Sequence, residues 1–434
     1  MASTKLTRTF SADSNRKKFT VSVWVKKSQD ASAKAIWGGE ISTGYVWLLM
    51  GSTLYFQQNP SSTIEFNSTE KFRDASGWYH IVQQVDTAQA TASNRMKFWV
   101  NGEQITNWAT STYPSQNEDI KFQSAAYPIR IGEFGNSYWD GSMSHFHWCD
   151  GYTYQASDFG STDATTGEWK INTSPSVSYG TNGFWILKDG NSVTDSSPNS
   201  NNFTVSAGTL TKTEDCPSNV FATFNPLATF ANITLTNGNN TYTLNAGTWE
   251  STPSTLAVPS SGKYYAEFKW NASSTSAQYM MVGVDSPQLF SNWSTQYPGY
   301  TSVGYAYGWD GDKRNNGNNS SYGAAWGATS IIGVAIDMDN KKLYFHKDGV
   351  YQNSGVPTSG STGTGALSLT GNEYYLIVSG YKNSENPSIH ANFGNGYFGT
   401  TAVSSAGTNA SNNGIFEYDV PTGYTALSTK GLNL

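Results

Sequence analysis

Residues 289–326 hold Trp293, Tyr297, Tyr300, Trp309, Tyr322 and Trp326 among asparagines, serines and glycines, with Asp310, Asp312 and Arg314 beside Trp309. Flat aromatic faces stack on the apolar patches of sugar rings, and amides, carboxylates and guanidinium groups satisfy hydroxyls. Binding pockets need that mixture of rings and a few polar groups. The chemistry indicated is recognition at a surface. Asp310-Gly311-Asp312-Lys313-Arg314 also begins like a calcium loop, but Arg314 stands where a third oxygen ligand belongs and the glycine comes late. No metal is expected there.

Bond-cutting chemistry has less support. Glycoside hydrolysis needs two carboxylates a few ångströms apart at the bond being cut, which alternate positions on one strand would deliver. No Glu-x-Asp-x-x-Glu pattern occurs. Glu65 and Glu70 flank Asn67-Ser68-Thr69 and do not share a strand face, and Asp339 falls in a polar turn two residues after Asp337. His80, His145, His147, His346 and His390 all sit in strand contexts, and no serine occupies a Gly-x-Ser-x-Gly elbow. His145 and His147, expected on one strand face with Met143, lack an evident third ligand for zinc. Neither an enzyme nor a cofactor is expected. Cys149 and Cys216 permit one disulfide without implying it, and two buried free thiols are the expectation.

The elements that must position these residues are strands. In 331–352 (IIGVAIDMDNKKLYFHKDGVYQ), Ile332, Val334, Ile336 and Met338 alternate with Ile331, Gly333, Ala335 and Asp337, so successive side chains face opposite sides. Asp339-Asn340-Lys341 is a polar turn, and Asp348-Gly349 suits a tight type I′ hairpin, whose two central residues need φ > 0. The same grammar occurs earlier, in 78–85 (WYHIVQQV) and 96–105 (MKFWVNGEQI), with Asn101-Gly102 as the turn. Composition agrees. The chain is poor in charge (13 %), rich in aromatics (14 %) and carries 42 glycines, a mixture that favours strands and turns over helices. At 434 residues it has room for two domains with their own cores. The fold class is therefore all-β, as two antiparallel β-sandwich, jelly-roll-like domains in tandem.

The net charge of −6 argues against nucleic acid as a partner. Residues 1–27 differ from the rest, with Lys5, Arg8, Arg16, Lys17, Lys18, Lys26 and Lys27 against Asp13. They read either as an exposed first strand with a solvated face or as a basic docking edge for an acidic neighbour. The opening MASTKLTRTF lacks the apolar core of a secretory leader, and no run is long enough to insert in a membrane.

In the first half, strands are expected at 19–25, 45–50, 53–57, 63–66, 129–132 and 139–149 besides the meander, with 152–182 irregular and wrapping the sandwich rim. FTVSVWVKK, KFRDASGWYHIVQQVD, NRMKFWVNGEQI and YWDGSMSHFHW, in this order, resemble the laminin-G/concanavalin-A-like jelly roll over residues 1–205. That resemblance implies two antiparallel sheets and sugar binding at loops on one rim or on the concave sheet. Residues 206–219 read as a connector. From 220 to 434 the series is similar to a SPRY domain. Gly262-Lys263 leads a strand to Glu267, Val282-Gly283-Val284 follows, then Gly333-Val334-Ala335-Ile336-Asp337 with Phe345-x-x-Asp348-Gly349, and a terminal Asn392-Phe393-Gly394. In such domains the loops of one rim take the ligand, commonly a peptide. Tyr305 and Tyr307 alternate on a strand and belong to the core.

The pairing of the two modules resembles surface or appendage proteins of marine bacteriophages and algal viruses. The expectation is a non-enzymatic protein on the virion surface, made in host cytoplasm and binding a host surface glycan or receptor. It would be a homo-oligomer that touches other virion proteins, with the basic N-terminal segment as one contact. Two alternatives stand beside it: a decoration or connector subunit making protein contacts only, and an intracellular SPRY peptide-binding adaptor.

Overall fold

The computed structural model describes residues 3–29, 33–59, 64–188, 192–271, 278–287 and 296–433. It is 43 % strand and 5 % helix, in antiparallel sheets that form two jelly-roll-like domains in tandem. The chain divides into two compact units, Met1–Lys212 and Thr213–Leu434. No helix among the described residues is long and apolar enough to cross a membrane.

The first unit pairs an eight-stranded sheet with a six-stranded one. The larger runs Trp108–Thr112, Ile64–Ser68, Leu54–Asn59, Gly44–Met50, Lys34–Ile41, Ile129–Ile131, Lys5–Arg8 and Thr204–Ala207. The smaller runs Phe184–Ile186, Gly141–Asp150, Lys18–Lys27, Tyr79–Asp86, Met96–Val100 and Glu103–Gln104. Phe19, Val21, Val23 and Val25 point between the sheets, where the Phe19 ring stacks on Trp148 with centroids 4.9 Å apart. Strand Lys34–Ile41 is hard to see in the sequence because Gly38 and Gly39 interrupt it. A Cβ on either would run into the ring of Phe134 or the Cβ of Phe122, so close packing demands the glycines that blur the pattern.

Three expectations about this unit change. Lys18–Lys27 is an interior strand with Lys26 and Lys27 buried, so it is no exposed first strand. The Lys27 ammonium donates to the carbonyls of Gly51 and Phe72, Arg8 donates to Asn201 and Asn202, and Lys5 pairs with Glu133. Several of the basic residues are thus internal ties. A bulge at residues 145–146, with His145 at φ 47°, breaks the alternation. Met143 therefore packs on the core while His147 points to the opposite face, and the two do not share one. Residues 152–182 cover a sheet face, not the rim: Ala156, Phe159 and Tyr179 pack on Val82, Trp99, Cys149 and Trp185. At the other end, Thr204–Ala207 pairs with Lys5–Arg8, so the start of the 206–219 stretch belongs to a strand.

The second unit has a nine-stranded sheet whose centre is Ser388–Asn392, Lys263–Trp270, Ile331–Asp337 and Lys342–Lys347. Opposite lies a six-stranded sheet in the order Glu250–Pro253, Tyr375–Lys382, Gln278–Asp285, Tyr305–Gly308, Asp312–Asn315 and Asn318–Ser321. Phe268, Val282, Val334, Phe345 and Val378 fill the space between. Asp348 and Gly349 take φ 50° and 85°, the geometry their hairpin turn requires. Ile331–Asp337 is buried along its whole length. Its outer face is covered by a second cluster that includes Phe416, Val420 and Tyr424 from the C-terminal residues. Cys149 and Cys216 are both free; Cys149 is buried and Cys216 only half-buried.

Candidate functional site

Along Gln278–Asp285, Met280, Val282 and Val284 enter the core, so Tyr279 and Met281 face outward. Tyr279 lies directly across from Tyr381 on Tyr375–Lys382. Trp249, just before Glu250–Pro253, and Trp309, just after Tyr305–Gly308, reach the same place from the neighbouring strands. Tyr279 lies 4.5 Å from Trp309 and 5.8 Å from Tyr381, centroid to centroid. Trp249 lies 5.8 Å from Trp309 and 5.6 Å from Tyr381. All four rings are half-buried. They form one aromatic cluster at the end of an outward sheet face.

The loop holding Tyr297 and Tyr300 folds against this cluster, with Tyr297 5.6 Å from Trp249 and Tyr300 45 % exposed. Asp285 fixes that loop by accepting the N–H groups of Ser286 and Gly299 and the Thr301 hydroxyl. Burial pushes its carboxyl above the ordinary value, against those donors. The Ser251 hydroxyl adds a bond to the Gln296 carbonyl. The buried Arg314 guanidinium stacks on Trp309 at 5.6 Å and pairs with Asp310, with Asp312 3.9 Å away. Both carboxylates are partly exposed beside the rings, where they can accept hydroxyls. The arrangement offers stacking surface and hydrogen-bond acceptors.

Of the residues singled out in the sequence, Tyr297, Tyr300, Trp309, Asp310, Asp312 and Arg314 gather here. Tyr322 and Trp326 do not face solvent: they are 8 % and 4 % exposed and belong to the core. After the hairpin at Asn316-Gly317 the chain returns over the sheet edge, with Tyr322 N–H bonded to Gly311 and Trp326 N–H to Trp309. That return drives both rings inward, Trp326 onto Trp270 at 5.2 Å and Tyr322 onto Tyr307 at 5.5 Å. Trp293 lies outside the described residues. Trp249, Tyr279 and Tyr381 were missed, although the outward parity of Tyr279 beside Met280 was readable.

Two groups of catalytic type are structural by geometry. Ser22 Oγ lies 2.8 Å from His80 Nε2, the spacing of a nucleophile and its base. However, Trp169 Nε1–H donates to His80 Nδ1 at 3.0 Å, and an indole can only donate. Nδ1 therefore carries no proton, Nε2–H donates to Ser22, and the imidazole cannot take the serine's proton. Glu267 is buried and accepts from the N–H groups of Glu417 and Tyr418, the Tyr265 hydroxyl and Asn392 Nδ2. Burial outweighs these donors and lifts its carboxyl to about 7. Its work is to hold the C-terminal residues on the sheet. On the outward face of the eight-stranded sheet, Tyr45 and Trp47 form a second ring group with the buried Phe134 of the adjoining hairpin, next to Gln57 and Glu65.

Residues 3–157 match the model of the concanavalin A-like lectin/glucanases superfamily, and residues 263–372 match that of the SPRY domain. A match to the concanavalin A-like superfamily is thus followed along the chain by a match to the SPRY domain. The ATP-dependent RNA helicase Ddx1 of Drosophila melanogaster is 33 % identical over 112 residues, 25 % of this chain and 13 % of the helicase. This chain therefore spans only a small part of that relative's length. Among solved structures, the SPRY domain of human HERC1 is similar at 18 % identity and a TM-score of 0.32, covering 39 % of this chain and 96 % of that one. Domain 4 of AbnA, a GH43 extracellular arabinanase from Geobacillus stearothermophilus solved with arabinotriose, is similar at 16 % identity and a TM-score of 0.26. It covers 33 % of this chain and 64 % of its own.

Proposed function

We propose that this protein is a non-enzymatic adhesion protein of a virion surface and that its aromatic cluster takes a host surface glycan or receptor. The observation that carries the reading is the convergence of Trp249, Tyr279, Trp309 and Tyr381 from four adjacent strands, half-exposed and flanked by Asp310 and Asp312. Rings spaced in this way supply stacking area at low entropic cost, and partly exposed carboxylates read hydroxyls. Host attachment would be strengthened by a homo-oligomer, since several weak sites on one particle bind together. The SPRY match supports a second reading, a peptide-binding adaptor using the same surface.

Trp309→Ala and Tyr381→Ala test the site. A stacked ring at the centre of a site contributes on the order of 2 kcal/mol, roughly thirtyfold in affinity. Binding to immobilised host-envelope polysaccharide is expected to weaken by that factor, while both variants stay folded at the assay temperature because neither ring is fully buried. Unchanged affinity in both variants would sink the glycan site. Loss of peptide capture with no polysaccharide binding would favour the adaptor. Normal host attachment with failed incorporation into particles would favour a decoration subunit.

A further inference from the structure

Outside the ring cluster, the most unusual arrangement is in the first domain, where residues 152–182 lie across the outward face of the six-stranded sheet. His80 sits at the middle of that contact, its ring 4.8 Å from Trp24 of the sheet and 6.0 Å from Trp169 of the covering segment, nearly parallel to both. A hairpin of Gly160–Thr162 and Trp169–Ile171 delivers Trp169, and a Cβ on Gly102 or Gly160 would strike its indole. The C-terminal end of the cover is anchored: Asp150 N–H donates to the Tyr179 carbonyl, Asp150 accepts from Asn182 N–H, and Asn182, Asn199 and Asn201 donate to nearby backbone carbonyls. The part able to lift is the stretch before Tyr179, which has fewer polar ties. Tyr179 OH meets His147 Nδ1 at 2.8 Å, Gln84 donates to the Tyr154 carbonyl, and Thr20 bonds the backbone at Tyr152 and Tyr154. The ion pair Lys170–Asp163 is internal to the covering hairpin.

We propose that residues 152–182 form an acid-released strap, anchored at its C-terminal end and opened by protonation of His80. In the closed state both ring nitrogens are committed: Nδ1 accepts from the indole and Nε2–H donates to Ser22. An added proton can go only to Nδ1, where it would face the Trp169 N–H across 3.0 Å. Two donors opposed in a dry contact repel, and a buried imidazolium lacks solvation. The strap is the partner able to leave, because the sheet face is fixed by strand pairing on both sides.

The titratable surroundings supply no compensating anion. On the sheet are His147 and Cys149, with His145 and Lys188 beyond them; on the strap are Tyr154, Tyr179 and Asp158. Asp158 acts on Cys149, and burial alone holds His80 down to about 3. His147 is also held low, first by burial and then by His145, His80 and Lys188. A group depressed in the closed state stabilises closure above its free value near 6.5, and that contribution is lost as pH falls toward 3. Each histidine therefore favours opening by roughly tenfold per pH unit below about 6.5.

Cys149 reports the event, because it is buried beneath the strap. In a Cys216→Ser background, its reaction with 4,4′-dithiodipyridine, corrected by a free cysteine peptide, is expected to accelerate by more than a hundredfold from pH 6.5 to 4.5, roughly a hundredfold of it due to His80. Hydrogen exchange in Lys18–Lys27 and Gly44–Met50 should stay slow over the same range. His80→Gln keeps a donor and an acceptor but cannot take the proton, so its acceleration should be roughly a hundredfold smaller than the wild type's, leaving only the part due to His147. Trp169→Phe removes the opposing N–H and should make the profile shallower while burial keeps part of it, which covers the case in which His80→Gln does not fold. A corrected wild-type rate that is flat between pH 6.5 and 4.5 would overturn the proposal. So would labelling that rises only together with exchange in the core strands, since that is unfolding of the whole domain.

Discussion

Glu267→Gln is expected to lower the stability of the second domain by about 3–5 kcal/mol. The carboxylate oxygens each accept a backbone N–H, one from Glu417 and one from Tyr418, and each accepts a side-chain donor as well. An amide nitrogen in either position faces a backbone N–H that has nowhere else to turn, and every buried donor left unmade costs roughly 1–3 kcal/mol. The proton order around it is set by His346. Gly349 N–H donates to Nδ1, so Nε2–H donates to the Tyr265 oxygen and the Tyr265 hydroxyl donates to Glu267. Gly333 makes room for this, since a Cβ there would collide with the imidazole. Burial raises the folded-state carboxyl to about 7 from 4.5, while the four donors pull it the other way. Denaturant melts of both proteins at pH 8, where the carboxylate is ionised and all four donors are met, should show the gap. An unchanged melt would remove Glu267 as the tie for the C-terminal residues.

Trp326→Ala is expected to cost about 3–5 kcal/mol, the range for truncating a large buried aromatic. The ring packs on Trp270 and Tyr307 and is almost wholly enclosed. For a domain of this size such a loss lowers the melting temperature by on the order of ten degrees. Trp309→Ala removes a ring of the same type from a half-buried place and should lower the melt clearly less than Trp326→Ala does. Thermal melts of the two variants side by side check this. Equal melting temperatures would contradict the separation of these tryptophans into core and surface.

What the sequence alone determined about this protein is its local grammar. Period-two alternation in 331–338 and 19–25, with Asn101-Gly102 and Asp348-Gly349 between apolar runs, specifies strands and hairpins. The reason is that side-chain parity and the demand for φ > 0 are properties of neighbouring residues. Two all-β domains could be read from this, together with the Glu267, Asp348-Gly349 and Asn392 positions of the second. Where a strand depended on distant packing the pattern failed, as at Gly38-Gly39, and the bulge at His145 reversed a parity that simple alternation had assigned. The aromatic surface was legible only as a neighbourhood in sequence, residues 289–326. Tertiary structure sorted that neighbourhood, sending Tyr322 and Trp326 inward and joining Trp309 to Trp249, Tyr279 and Tyr381. Tyr279 and Tyr381 meet because their strands pair in register across the sheet, and that register is set by burial of the opposite face. The same is true of His80: its proton is placed by Trp169, a residue brought to it by the fold and by nothing in its own stretch of chain.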